Sequence, residues 1–191
     1  MSVHFSKFLR VLLLAPILAL ILLATCRIFK PHIFVTDWSF LMAILTLVVL
    51  PLLSYPLSII LPKVKEKGRD GQRKLAIIFS MAGYVIGFCL CFLITTSQEL
   101  KVMFLTYLLS ASLIGLFTFV IKLKASGHAC GMMGPIAYLS YFVSPWCLTL
   151  MLGLIFIYWP AIKLKRHNIF ELILGTVFPV IAMFISIAIF M

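Results

Sequence analysis

The sequence predicts an all-α, polytopic membrane helix bundle of six or seven transmembrane helices. Composition comes first: 64% of the residues are hydrophobic and 11% charged, and the mean hydropathy is +1.21. A soluble domain averages about 45–50% apolar and about 25% charged residues, so a soluble fold of this chain would have almost no polar surface. Second, apolar runs near the ~20 residues that cross a bilayer recur along the chain. Third, the cations collect in short segments between those runs. The net charge of +11 is therefore read as topology and headgroup contact, with no nucleic acid as partner.

The first ten residues carry Lys7 and Arg10, and an apolar run follows over about 11–26. A basic start and apolar middle resemble a secretory signal, but no small-x-small cleavage site follows. Leu23-Ala24-Thr25-Cys26 is only a poor lipoprotein box, because Thr25 precedes the cysteine. The run is read as a retained first span. Arg27, Lys30, His32 and Asp37 form a loop, and a second span covers about 40–61, with Pro51 and Pro56 expected to kink it. The most charged segment follows, from Lys63 to Lys74. Gly68 and Gly71 within it argue for loop. Spans over about 75–96 and 102–121 come next, joined by a turn at Gln98, Glu99 and Lys101.

A short polar stretch, Lys122-Leu123-Lys124-Ala125-Ser126-Gly127-His128, separates these spans from an apolar run over 129–160. That run is too long for one helix. The residue before a proline avoids helical geometry, so Ser144-Pro145 is expected to split it into helices over about 129–143 and 146–159. A second polar stretch, 160–170, leads into a last span over about 171–190. There are no repeats or linkers, so residues 1–191 read as a single domain: N-terminal spans over 1–60 and a core over 61–191 carrying three polar segments. The five cysteines, Cys26, Cys89, Cys91, Cys130 and Cys147, match no zinc or disulfide spacing and read as packing residues. Cys130 does not share a helix face with His128, which argues against a thiol nucleophile.

The split at Ser144-Pro145 decides what the polar segments can do together. Two crossings between residues 129 and 159 return the chain to its starting face, so His128 and His167 share a face, along with the 62–74 segment. On that topology, thirteen of the sixteen Lys and Arg residues lie on the convergent face. The positive-inside rule makes that face cytoplasmic.

Taken singly, each of these residues has an ordinary reading. Lys and Arg beside spans set topology, Ser-Gly at a helix start is a cap, and a loop histidine is solvated. Convergence on one face favours a site, because ionisable groups at a bilayer are costly. Lys and Arg together suit a phosphate. Glu171 lies four residues after His167, a spacing that puts both on one face of a first helical turn. A carboxylate on one imidazole nitrogen fixes the tautomer and leaves the other nitrogen free to attack. Ser126 and Gly127 precede a helix whose first N–H groups suit phosphate oxygens.

These segments resemble the type-2 phosphatidic acid phosphatase superfamily, including its compact bacterial membrane members. Ser126-Gly127-His128 matches the family's second motif. The stretch from Trp159 through Gly175, with His167 and Glu171, is similar to the third. Lys67 through Arg73 is similar to the first, with Lys74 where a proline would stand. The resemblance covers roughly residues 60–190. Ala125 replaces the proline before Ser-Gly-His, Glu171 replaces an aspartate, and Pro160-Ala161 stand where Ser-Arg would open the third motif.

The resemblance implies a six-helix phosphatase core and hydrolysis of a phosphomonoester or pyrophosphate of a lipid. His167 would attack phosphorus and form a phosphohistidine, with Glu171 orienting it and His128 protonating the leaving oxygen. Arg73, Lys67, Lys124, Ser126 and the Gly127 backbone would hold the phosphate oxygens. Arg166 or Lys163 would stand in for the arginine missing at Ala161. Neither a metal nor another cofactor is implied; the partners are a lipid phosphate and membrane lipids, and the oligomeric state is open. The alternative is a non-catalytic relative that binds anionic headgroups or serves in a membrane assembly.

Overall fold

The computed structural model describes residues 14–165 and 167–191, with Arg69 as backbone only. The start of the expected first span, with Lys7 and Arg10, and Arg166 lie outside the described residues. Among those residues every regular element is helical. We number the helices α1 (Ala15–Phe29), α2 (Asp37–Ile60), α3 (Pro62–Glu66), α4 (Gly68–Leu93), α5 (Gln98–Phe119), α6 (Gly127–Phe142), α7 (Pro145–Lys163) and α8 (Ile169–Phe190). Five of them, α2, α4, α5, α7 and α8, are long and apolar enough to cross a membrane, as an integral membrane protein requires.

Two apolar helices, α1 and α6, are shorter. At 1.5 Å per residue, the 15 residues of α1 and the 16 of α6 reach about 22 and 24 Å, against ~30 Å of bilayer hydrocarbon. Most of α6 is buried, from Ala129 through Leu139. It packs against α1, α8 and α7. α8 turns a stripe of Leu172, Gly175, Phe178, Pro179, Ala182, Met183 and Ser186 toward α5 and α6, the spacing of one helix face. α2 and α4 complete the bundle, with α4 also lying along α5. Lipid-facing side chains offer no hydrophobic drive between helices, so close approach matters more. Gly83 and Gly87, four apart on α4, provide it: a Cβ at 83 would overlap the Thr46 carbonyl oxygen, and one at 87 the Phe104 ring and Thr46 Oγ1.

Local chemistry sets the helix ends. Thr36 and Ser39 form a reciprocal capping box at the start of α2. Ser97 caps α5 by accepting the Leu100 N–H at 3.1 Å, while its hydroxyl donates to the Ile33 carbonyl at 2.7 Å. It therefore ties the α4–α5 turn to the segment after α1. Ser97→Ala loses both contacts and is expected to cost about 1–2 kcal/mol, read as a lower midpoint of denaturation in detergent.

The structure corrects several expected boundaries. The 62–74 segment is helical, not loop: only Gly68, at φ +53°, breaks the chain, between α3 and α4. Gly71 lies inside α4 against the Val64 carbonyl. Arg73 and Lys74 consequently ride on the second turn of a membrane helix. The kink expected in α2 is a π turn at Leu45–Val49, directly before Pro51, and the helix continues through Pro56. The chain does divide at Ser144-Pro145, where Ser144 is extended. After it, α7 runs as a 3-10 helix over Pro145–Leu154 and as α-helix over Ile155–Lys163. Pro160 and Ala161 thus belong to a helix. Ten 3-10 residues at ~2.0 Å and nine α residues at ~1.5 Å give α7 about 34 Å, enough to span.

Candidate active site

Two helix starts meet at one end of the bundle. Ser126 is the N-cap of α6; its hydroxyl accepts the Ala129 N–H at 3.3 Å, and the residue is buried. Its own N–H donates to the Glu171 carbonyl at 2.9 Å. One turn further along α8, a Cβ at Gly175 would overlap the Ser126 carbonyl oxygen. The second and third polar segments are therefore in direct backbone contact. α6 begins at the level of the first two turns of α8, below the outer end of that helix.

His167 stands just outside α8. Asn168 is the N-cap, accepting the Glu171 N–H at 2.7 Å. The cap runs one way, because the Glu171 carboxylate is turned to His167 and not to the Asn168 N–H. Lys165, at φ +51°, turns the chain after α7. The His167 N–H then points back to the Ala161 carbonyl at 3.5 Å. From that position His167 Nδ1 lies 2.7 Å from Glu171 Oε2. The contact expected from the four-residue spacing is present, but not because both residues share a helix face. His167 precedes the cap, and the turn at Lys165 delivers it. Both side chains are largely shielded, at 19% and 15% exposure. With Nδ1–H donating to the carboxylate, Nε2 carries the lone pair.

The first segment joins through Arg73. Its Nη2 donates to the Ala125 carbonyl at 2.8 Å and to Thr118 Oγ1 at 3.2 Å. Its charge also interacts with the Glu171 and Asp70 carboxylates. Arg73 thus lies between the α6–α8 junction and a cavity of about 180 Å³, lined by Asp70, Arg73, Lys74, Thr118, Phe119 and Lys124. Lys124 Nζ is 3.8 Å from Asp70 Oδ1 across this cavity. The space is polar, open to the surface and roomy enough for a phosphoryl-sized anion.

The other expected residues are placed less centrally. Gly127 and His128 are the first two helical residues of α6, both exposed at the same end. Lys67 is exposed at the start of α4 and is not among the residues lining the cavity. Sequence reasoning missed Thr118, which partners Arg73 across 45 positions, and Asp70. Neither has a local signal. It also missed that Lys122, at φ +62°, reverses the chain after α5 as Lys165 does after α7. Glycine or asparagine usually fills such positions. Comparison with family models, with curated proteins and with solved structures finds no match.

Proposed function

We propose that the protein is a membrane-embedded lipid phosphate phosphatase, hydrolysing a phosphomonoester or pyrophosphate of a lipid through a phosphohistidine. The observation that carries this reading is the 2.7 Å contact of His167 Nδ1 with Glu171 Oε2, on the residue whose carbonyl binds the start of α6. α1 and α6 count as spans six and seven in this reading. The site then opens on the cytoplasmic face of a cell membrane by the excess of Lys and Arg there.

A lipid phosphate enters along the bilayer with its headgroup at the ends of α4, α6 and α8. Arg73 and Lys124 attract the phosphoryl oxygens, and the N–H groups of Gly127 and His128 add the positive end of α6. His167 Nε2 attacks phosphorus, and the P–O bond to the lipid breaks as His128 gives that oxygen a proton. Glu171 holds the imidazole and offsets the charge it gains. Water then attacks phosphorus as the P–N bond to His167 breaks, His128 takes the water's proton, and inorganic phosphate leaves. Positioned cations supply most of the stabilisation in such a loose transition state. The test is phosphate release by purified protein from a panel of lipid phosphates, with trapping of an acid-labile phosphoprotein. No release from any monoester or pyrophosphate, and no trapped species, sinks the reading.

One observation favours a second reading, a non-catalytic binder of anionic headgroups. Residue 161, whose carbonyl faces the His167 N–H, is an alanine where the resemblance calls for arginine. Ala161→Arg adds a charge-assisted donor of about 1.5–3 kcal/mol. An active parent is expected to gain about tenfold or more in phosphate release. A silent parent that becomes active on this change establishes the binder.

A further inference from the structure

The cavity beside Arg73 contains its own anion. Three of its lining side chains are cationic, Arg73, Lys74 and Lys124, and one is acidic, Asp70. Asp70 Oδ1 sits 3.8 Å from Lys124 Nζ, with the two side chains 71% and 57% exposed. Arg73 is anchored by Thr118 and Ala125 and cannot follow a ligand outward. Lys124 can, because it lies on the irregular segment between α5 and α6. An exposed ion pair of this length is weak and readily exchanged.

We infer that Asp70 is a built-in competitor for the anion cavity: its carboxylate holds Lys124 when the cavity is empty and must be displaced by any phosphate that enters. The inference rests on the proposed reading of the site as one for lipid phosphates, and it adds to it a residue that sets the affinity an entering anion must exceed. Displacing Asp70 sets back every anionic headgroup by the same factor. The consequence differs by class. A phosphomonoester carries about −1.5 to −2 charges at neutral pH and still binds. A phosphodiester headgroup carries one, no more than the carboxylate it replaces, so the diester lipids of the surrounding bilayer start from the weaker attraction and bind the cavity less than a monoester does. Asp70 also lies in the first turn of α4, where a carboxylate favours the helix. That role alone predicts no effect on ligand affinity.

The experiment measures binding by the full-length protein in detergent, by calorimetry with inorganic phosphate and with dimethyl phosphate. Asp70→Asn is expected to tighten both by about fivefold, the Coulomb contribution of one unit charge at ~4 Å in a water-like medium. Asp70→Glu should keep the parent's affinities. In the Lys124→Ala background Asp70→Asn should bring little further gain. Unchanged affinity in Asp70→Asn, or a gain as large without Lys124 as with it, overturns the inference. Phosphate release by the same preparations separates the two claims. Tighter binding without turnover in any protein leaves the competitor in place and removes the phosphatase. Turnover without tighter binding does the reverse.

Discussion

His167→Ala should reduce lipid phosphate hydrolysis by at least about 10³-fold, with no trapped phosphoprotein, because it removes the atom that bonds to phosphorus in the proposed mechanism. That is ~4 kcal/mol of transition-state stabilisation. The loss should appear in kcat, since the anion-holding groups, Arg73 and Lys124, remain. Glu171→Gln is the informative companion. It keeps the side chain's size and the backbone carbonyl that receives Ser126, but removes the charge beside Nδ1. About 10²-fold of the rate is expected to go, with the fold intact by thermal unfolding. Equal rates for His167→Ala and the parent exclude His167 as nucleophile.

Gly175→Ala is expected to open the junction between α6 and α8. The new Cβ would overlap the Ser126 carbonyl oxygen and crowd the Ala129 Cβ, at 3.2 Å. A backbone carbonyl inside a capped helix start cannot rotate away, so α6 and α8 must separate. Overpacking of this kind costs about 1–3 kcal/mol. The same shift moves Ser126 away from Glu171, and His128 with it. A misplacement of about 1 Å at reacting groups can cost 10²-fold in rate. Phosphate release should therefore fall much further than the stability loss implies. Gly115→Ala, at a position with nothing within 4 Å, is the control and should change neither.

Which features were legible in the sequence depends on whether their cause is local. The division at Ser144-Pro145 was legible, because proline biases its immediate neighbour away from helical geometry, although Pro56 and Pro160 lie within helices. The start of α6 at Gly127 was legible for the same reason, through the Ser126 cap. Gly68 and Gly71 look alike in the sequence, yet one breaks the chain and the other is a close-packed helical residue. What separates them is the Val64 carbonyl against Gly71, a contact that exists only after α3 folds back. Arg73 was legible as a cation but not as the group that joins Thr118 to Ala125, which is a tertiary fact. His167 and Glu171 were paired for a helical reason, while the structure pairs them through a lysine in the left-handed region. The 3-10 stretch of α7 had no signal in composition.

Glu171 meets its two partners with different parts of itself. The carbonyl that receives Ser126 is backbone, so any residue at 171 would supply it. The carboxylate that meets His167 is a side chain, and few residues would. Architecture and chemistry at this position are thus separately heritable. A descendant chain could exchange Glu171, lose whatever chemistry its carboxylate supports, and still present a cationic cavity on an unaltered frame. The same frame would be equally ready to take the reaction back.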